Sequence, residues 1–248
     1  MSRDAKFFGV HACEAVFACR PDAIHRAFFT DETAPLFGPL MKLLAARRKP
    51  YRVVSDVELG KVAATRHHEG VCVVADPIPD GDSDSVLRRL LAAPSARLLF
   101  LDGVGNPHNV GAILRTAAHF GRTALAGDAD GLPALSGATA RVAEGGAEHV
   151  PVLRWNHPVR GLDRLAEHGF ARVATVVNGG VDGGTPLHEA ELPARCAFLL
   201  GAEREGLSPE VRRVADVAVT IPGTGDVESL NVNVAAAILL AEHARRHG

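Results

Sequence analysis

The sequence lacks the features of a membrane-spanning or exported protein. It contains no apolar run of about 18 residues, so we expect no transmembrane helix. The segment Met1–Lys6 leads into no apolar stretch with a cleavage signature, which disfavours a secretion signal. Together these absences predict a cytoplasmic protein.

Cysteine is scarce and scattered along the chain. The four cysteines, Cys13, Cys19, Cys72 and Cys196, lie far apart and form no CxxC pair. This pattern is typical of reduced, mostly buried thiols in a cytoplasmic protein. We therefore expect neither a structural zinc site nor another metal centre.

Aromatic residues and net charge are also low. One Trp, one Tyr and ten Phe leave little material for a platform that stacks nucleic-acid bases. The formal net charge of -2 argues against a basic coat over the whole surface, but it leaves a local basic face open. The candidate clusters Arg47–Lys49, Arg66–His68 and Arg245–His247 fit solvated helix ends equally well.

The apolar pattern divides the chain into two α/β domains. Residues 1–76 alternate short apolar strands with helices, and the linker at 77–96 starts as a Pro/Asp/Gly segment and continues as a short helix. Residues 97–248 resume the alternation with strands rich in Val and Leu. Such alternation predicts an α/β fold in which helices cover both faces of a parallel sheet.

Two local patterns in the first domain predict helices. The leucines between Leu36 and Leu44 recur at helical spacing, which predicts one helix over residues 33–48. Ser55 and Glu58 have the spacing of a capping box, so a short helix is expected after Ser55.

A first candidate functional motif runs from Leu101 to Arg115. A strand ends, a tight loop follows, and Asn109 stands where we expect a helix N-cap, with Gly121 at the end of that helix. An alternative is a dinucleotide fingerprint, because Gly103 and Gly105 follow one strand and Asp128 follows the next. The third glycine of that fingerprint is misplaced, and Pro107–His108 fills the stretch where amides should bind a pyrophosphate.

Two further motifs follow apolar strands near the end of the chain. Gly201–Gly206 carries Glu203 between a strand end and a helix start, where backbone amides favour a carboxylate; a charged surface turn is the alternative. Ile221–Asn233 carries Ser229 and Asn231 at a helix entrance, where both could also be N-caps. Asn233 lies inside the helical pattern, which suggests a buried polar contact or a ligand. Glycine in such loops lets a ligand approach the backbone.

In this order and spacing, the three motifs closely resemble those of the SpoU/TrmH family of RNA ribose 2′-O-methyltransferases in the SPOUT superfamily. The resemblance covers about residues 97–246, and residues 1–75 resemble the small substrate-binding domain that precedes the catalytic domain in many members. A tRNA/rRNA methyltransferase branch of the family is the nearest likeness. The segments similar to that branch are Arg20–Ile24, His67–Cys72 and Thr139–Val150.

The resemblance implies a fold, a cofactor and a set of site residues. The family binds S-adenosylmethionine in a deep C-terminal trefoil knot, acts on tRNA or rRNA, and usually forms homodimers with the active site near the subunit interface. The implied cofactor-binding residues are Thr175, Gly201, Ile221, Pro222 and Leu230, and the implied catalytic residues are Asn109, Arg115, Glu203, Ser229 and Asn231.

The resemblance also implies roles for the catalytic set. Arg115 is expected to hold a phosphate or stabilise the developing alkoxide, because a guanidinium is a poor base. Asn109 and Ser229 would orient the hydroxyl and Arg115, and Glu203 would fix Arg115 or Asn109. The chain departs from the family at Asn233, where the third motif often has serine.

Two other functions stay open on the sequence. One is an RNA-binding member of the same fold that has lost turnover, which the change at Asn233 permits. The other is a dinucleotide-dependent enzyme built on the loop that contains Gly103 and Gly105.

Overall fold

The computed structural model describes residues 4–177 and 183–248, which form two compact units. The first unit combines Met1–Pro79 with Ala134–His149, and the second combines Asp80–Pro133 with Val150–Gly248. The chain therefore leaves the first unit, returns to it once and leaves it again.

The strands of the described residues are numbered in chain order. They are β1 (Ala5–Phe8), β2 (Ile24–Phe29), β3 (Tyr51–Val53), β4 (Val71–Ala75), β5 (Ala96–Asp102), β6 (Thr123–Asp128), β7 (Val152–Trp155), β8 (Ala171–Thr175), β9 (Thr185–Pro186), β10 (Arg195–Gly201) and β11 (Val217–Thr220).

The α-helices are numbered in the same way, and short 3-10 turns at Pro21–Ala23, Ala34–Phe37 and Gly146–Glu148 accompany them. The helices are α1 (Val10–Cys19), α2 (Gly38–Ala46), α3 (Asp56–Ala63), α4 (Ser83–Leu91), α5 (Pro107–Phe120), α6 (Gly137–Val142), α7 (Pro158–Glu167), α8 (Pro209–Arg213) and α9 (Val232–His247).

The first unit is built on a four-stranded mixed sheet with the order β1-β4-β2-β3. Strand β4 runs antiparallel to both β1 and β2, and all of its residues are buried. The expected single helix over residues 33–48 is wrong, because a 3-10 turn at Ala34–Phe37 precedes α2. Pro39 cannot donate a backbone hydrogen bond, so an α-helix starts afresh with Pro39 in its first turn. Ser55 does cap α3, and its hydroxyl accepts the Glu58 N–H at 3.3 Å.

Residues 134–149 have their contacts in the first unit, although a division of the chain at residue 97 assigns them to the second domain. Two ion pairs fix this segment. The guanidinium of Arg20 donates to both carboxylate oxygens of Glu148 at 2.7 and 2.9 Å, and Arg141 donates to Glu69 at 3.2 Å. Polar contacts between residues distant in the sequence therefore complete this unit.

The second unit contains a seven-stranded parallel sheet with the order β7-β6-β5-β10-β8-β11-β9. One face packs against α4, α7 and α8 through residues such as Leu98, Phe100 and Leu199. The other face is covered by α5 and α9, which pack on each other and on β6 and β10. The predicted α/β architecture with a parallel sheet is confirmed. Because the strands are parallel, their carboxyl ends all lie at the same end of the sheet.

Among the helices of residues 4–177 and 183–248, none has both the length and the apolar character that crossing a membrane requires. The four cysteines are free; Cys13, Cys72 and Cys196 are buried and Cys19 is exposed. Burial raises the pKa of Cys72 to about 11 and that of Cys196 to about 12.

Candidate active site

Asn109 lies inside α5, so the expectation that it is the N-cap is wrong. Asn106 caps the helix, and its side-chain oxygen accepts the His108 N–H at 2.9 Å. Pro107 takes the first helical position, where its missing N–H costs nothing. Because the cap is supplied elsewhere, the amide group of Asn109, a residue only 9% exposed, is available for another contact. Gly121 ends the helix with a φ of 62°, as expected.

Glu203 lies in a tight turn between β10 and α8. The turn closes through a hydrogen bond from the Gly206 N–H to the Ala202 carbonyl at 2.9 Å. A Cβ on Gly201 would come within 2.1 Å of the Gly206 carbonyl carbon, so only glycine fits there. The carboxylate of Asp102, at the end of β5, accepts the Ser208 N–H at 2.7 Å and ties the far side of the turn to the sheet.

Asn231 is the N-cap of α9, and its side-chain oxygen accepts the Asn233 N–H at 3.0 Å. Its amide nitrogen donates to Glu203 Oε1 at 2.7 Å, and the amide nitrogen of Asn109 donates to the same oxygen at 3.2 Å. A longer contact of 3.4 Å joins Asn231 Nδ2 to Asn109 Oδ1. The three motifs thus converge on one carboxylate oxygen of Glu203.

A cavity of about 510 Å³ opens beside this cluster, at the carboxyl ends of β8, β10 and β11. Its volume is in the range of small-molecule sites. Apolar backbone-rich segments form most of the wall, and Glu203 and Ser229 belong to its polar part. All five residues that the resemblance implies for the cofactor line it: Thr175, Gly201, Ile221, Pro222 and Leu230.

Two threonines of the cavity wall carry hydroxyl groups with no hydrogen-bond partner in the described part of the chain. These are Thr175, at the end of β8, and Thr220, at the end of β11, and both oxygen atoms are buried. A buried hydroxyl without a partner is costly. The cavity is therefore a place where a ligand could satisfy two protein groups.

The remaining candidates are placed less closely. Arg115 is exposed on α5, six residues or about 9 Å of helix beyond Asn109, and in the second half of the helix rather than near its start. Asn233 is half-buried in the first turn of α9; its backbone N–H completes the cap, and no side-chain hydrogen bond is recorded for it among the described residues.

The residues that suggested a dinucleotide fingerprint, Gly103 and Asp128, have structural roles in their own turns. Asp128 Oδ1 accepts the N–H groups of Asp130 and Gly131 at 2.9 and 3.1 Å, so this carboxylate stabilises its own turn. Gly103 adopts a φ of 71°, which explains glycine there without a ligand.

Sequence reasoning missed Asp102 and Thr220. Asp102 ends β5, and a carboxylate at the end of a parallel strand is well placed to reach a neighbouring helix start. Thr220 is the last residue of an apolar strand. A polar residue at that position, next to a glycine-containing loop, was the available signal.

Comparisons with known proteins show the family to which the chain belongs. A sequence model described as the SpoU rRNA methylase family matches residues 96–241, and one described as RNA 2′-O ribose methyltransferase substrate binding matches residues 7–80. The chain is 37% identical to the uncharacterized tRNA/rRNA methyltransferase YfiF of Escherichia coli O157:H7, over 99% of this chain and 69% of that protein.

Two further proteins extend the comparison. The chain is 33% identical to the 23S rRNA (guanosine-2′-O-)-methyltransferase RlmB of Nitrosomonas europaea, over 100% of this chain and 94% of that protein. An AdoMet-bound rRNA methyltransferase from Sinorhizobium meliloti shares the fold with a TM-score of 0.76 and 22% identity, over 99% of this chain and 88% of that one. The chain belongs to the SpoU family of RNA methylases.

Proposed function

We propose that the chain transfers a methyl group from S-adenosylmethionine to a ribose 2′-hydroxyl group of tRNA or rRNA. Membership of the SpoU family supports the reaction class. The observation that carries the proposal is the convergence of Asn109 and Asn231 on Glu203 Oε1 beside the 510 Å³ cavity. A polar cluster at the carboxyl end of a parallel sheet is where α/β proteins bind their ligands.

The cavity fits S-adenosylmethionine by its chemistry. The partnerless hydroxyl groups of Thr175 and Thr220 offer hydrogen bonds to a polar ligand, and the exposed loop after Ile221 offers bare backbone. Gly201, Pro222 and Leu230 complete the set that would hold the adenosine. When bound, this cofactor supplies an activated sulfonium methyl group, so the protein needs no nucleophilic side chain.

The residues around Glu203 would orient the acceptor hydroxyl. Both amide nitrogens are engaged by Oε1 of Glu203, which fixes Asn109 and Asn231 and keeps the carboxylate in one position. Ser229 lines the same cavity and can contact the ribose. Arg115 is assigned to an RNA phosphate or to the negative charge that develops on the hydroxyl oxygen, because a guanidinium stays protonated.

Three finer features belong to the same proposal. The C-terminal segment forms the family's trefoil knot, and the contacts of α9 with α5 and Glu203 are compatible with it. The protein is a homodimer, because Val227, Leu230 and Val234 expose apolar surface beside the cavity. It works in the cytoplasm, where its RNA substrate and its free cysteines are expected. Light scattering of the purified protein tests the dimer.

The reaction is tested with radiolabelled S-adenosylmethionine and total RNA from a strain that lacks the protein. The purified protein should label tRNA or rRNA, and mapping of 2′-O-methyl groups should find a site that depends on it. Cofactor binding without any transfer would instead identify the protein as an inactive RNA-binding member of the family.

A further inference from the structure

A second cavity of about 350 Å³ lies in the second unit, between α4 and α7. Its floor and walls are aliphatic and include Leu87, Leu98 and Leu153, whereas Ser83 and Asn156 supply polar groups. The volume again lies in the range of small-molecule sites. It lies at the β7 edge of the sheet, whereas the first cavity lies at the other side, around β8 and β11.

The charged side chains that line this cavity are all basic. Four basic residues line it, no described lining residue is acidic, and two of the four are neutralised by carboxylates nearby: Arg154 by Asp80 at 3.0 Å and Arg164 by Asp84 at 2.6 Å. The other two, His157 and Arg160, are exposed, and no side-chain hydrogen bond or ion pair to another described residue is recorded for them. The cavity mouth therefore favours an anionic ligand.

The mouth of this cavity and the Glu203 cluster both lie at the carboxyl end of the sheet, at different strands. His157 follows the carboxyl end of β7, and β7, β6, β5 and β10 are consecutive neighbours. Three strand spacings separate β7 from β10, which is about 14 Å. An RNA strand whose ribose lies at Glu203 can reach that far with a few nucleotides. The cavity of about 510 Å³ lies on the β8 and β11 side of Glu203, so the RNA strand is expected to run from Glu203 towards β7.

We propose that the cavity between α4 and α7 is a second RNA subsite, which receives a nucleotide other than the methylated one. Its phosphate contacts Arg160 and His157, and its base enters the cavity. This inference rests on the proposed function, because it takes RNA as the substrate.

The packing of Trp155 decides how the base is held. One side of the indole lies near Phe100, with ring centroids 5.8 Å apart, and a Cβ on Gly161 would come within 2.5 Å of the indole ring. Because both neighbours crowd the ring, the base contacts aliphatic side chains and the indole edge instead of stacking. Ser83 and Asn156 are the groups available for hydrogen bonds to its edge.

The phosphate contact is tested by the salt dependence of binding. Arg160→Gln should raise the KM for RNA about 5-fold or more, leave kcat and the Kd of S-adenosylmethionine unchanged, and lower the slope of log K against log salt by about 0.7 for a single-stranded RNA. The matched control is Arg213→Gln, an exposed arginine in the last turn of α8. Equal slopes and equal KM values for the two variants would overturn the subsite.

The base contact is tested by photocrosslinking of a mixed-sequence, 4-thiouridine-labelled RNA, followed by mass spectrometry. Crosslinks to the segment between Leu153 and Arg164 are expected, and Ser83→Phe, which fills the cavity, should abolish them while circular dichroism stays unchanged. Crosslinks confined to other segments would overturn the proposal.

Two further arms separate the sources of failure. Adenosine monophosphate is titrated into the free protein and, separately, into the protein–RNA complex. Displacement of RNA only at millimolar concentration supports an RNA subsite. Tight binding to the free protein that Arg160→Gln abolishes would identify a free-nucleotide site and overturn the RNA subsite. If the unmodified protein methylates no RNA but Arg160→Gln still changes the salt slope, the proposed function fails and the subsite stands. If it methylates RNA and the slope does not change, the subsite fails alone.

Discussion

The polar side chains at the two ends of the parallel sheet differ in exposure and in hydrogen bonding. At the carboxyl end, Asn109 and Asn231 share the carboxylate of Glu203, which is exposed. At the amino end, Arg97 and His243 are buried, and Arg97 Nε and Nη1 and His243 Nδ1 have no hydrogen-bond partner in the described residues. Buried polar groups without partners at the amino end therefore do not mark the site, whereas accessible, converging polar groups at the carboxyl end do.

This difference gives each end its own expected behaviour. Substitutions of the polar side chains that converge on Glu203 should change activity and leave the free energy of unfolding nearly constant. Substitutions at the amino end should change stability and leave the chemistry intact. Arg97 donates to the carbonyls of Phe120 and Gly121, and His243 contacts the Pro193 carbonyl and the Phe198 ring, so neither side chain lines the cavity.

The largest expected effect is at Glu203. Glu203→Gln removes the negative charge that strengthens the two amide hydrogen bonds to Oε1, so Asn109 and Asn231 are held less firmly. We expect kcat to fall at least about 100-fold and the melting temperature to stay constant. Steady-state methyl transfer into RNA and a thermal scan measure both.

The control is Glu205→Gln, which changes an exposed carboxylate in the same turn. It should retain full activity. Equal activity of the two variants would remove Glu203 from the site.

Gly201→Ala should produce the next largest effect, because it damages the turn that carries Glu203. The new Cβ meets backbone atoms of Gly206 and Leu207 at 2.1 to 2.4 Å, which cannot move independently of the turn. We expect a loss of about 3 kcal/mol in the free energy of unfolding and loss of S-adenosylmethionine binding, measured by denaturant unfolding and calorimetry. Gly183→Ala, where a Cβ meets nothing within 4 Å and which does not line the cavity, is the control; similar damage there would contradict the explanation.

His243 tests the amino end through pH. Burial, followed by the positive charges of Arg97 and His247, lowers its pKa to about 4 from the ordinary value of 6.5. Between about pH 4 and pH 6.5 the imidazole of His243 therefore binds a proton in the unfolded chain but not in the folded protein. Stability is full above about pH 6.5 and falls as the pH drops towards 4. The loss should be about 3 kcal/mol at pH 4.

Urea unfolding between pH 4 and pH 7 measures this dependence. His243→Gln keeps a donor for the Pro193 carbonyl and should flatten the curve without changing methyl transfer at pH 7. His119→Gln, which removes an exposed imidazole, should leave the curve unchanged. A steep curve in His243→Gln would assign the effect to another group.

The sequence predicted the parallel sheet because its strands are continuous apolar runs between helices, a pattern that depends only on local chemistry. It failed where a local rule had two solutions. Asn106 and Asn109 both suit an N-cap, and Pro107 favours the first, since proline belongs at the first helical position. The return of residues 134–149 to the first unit depends on Arg20 and Glu148, whose pairing across the sequence no periodicity reveals.

The site shows the same limit. Gly201, Glu203 and Asn231 were identified because glycine loops and caps have local signatures. The hydrogen bond between Asn109 and Glu203 joins residues that are 94 positions apart in the sequence. It depends on the adjacency of β5 and β10, which only the strand order reveals. The partnerless hydroxyl groups of Thr175 and Thr220 are likewise a property of packing.

Thr220→Val should have the smallest effect, and it tests whether a buried hydroxyl at the carboxyl end binds the ligand or serves the fold. Removing a buried hydroxyl that has no hydrogen-bond partner among residues 4–177 and 183–248 relieves a desolvation cost, so stability should stay constant or rise slightly. If the same hydroxyl binds S-adenosylmethionine, the variant should lose about one hydrogen bond, or roughly 0.5–1.5 kcal/mol of affinity, which calorimetry resolves as a Kd increase of about 2- to 10-fold. Thr185→Val, an exposed threonine in the neighbouring β9, should change neither quantity. A destabilised Thr220→Val protein with unchanged affinity would mean that this hydroxyl serves the fold, as the buried groups at the amino end do.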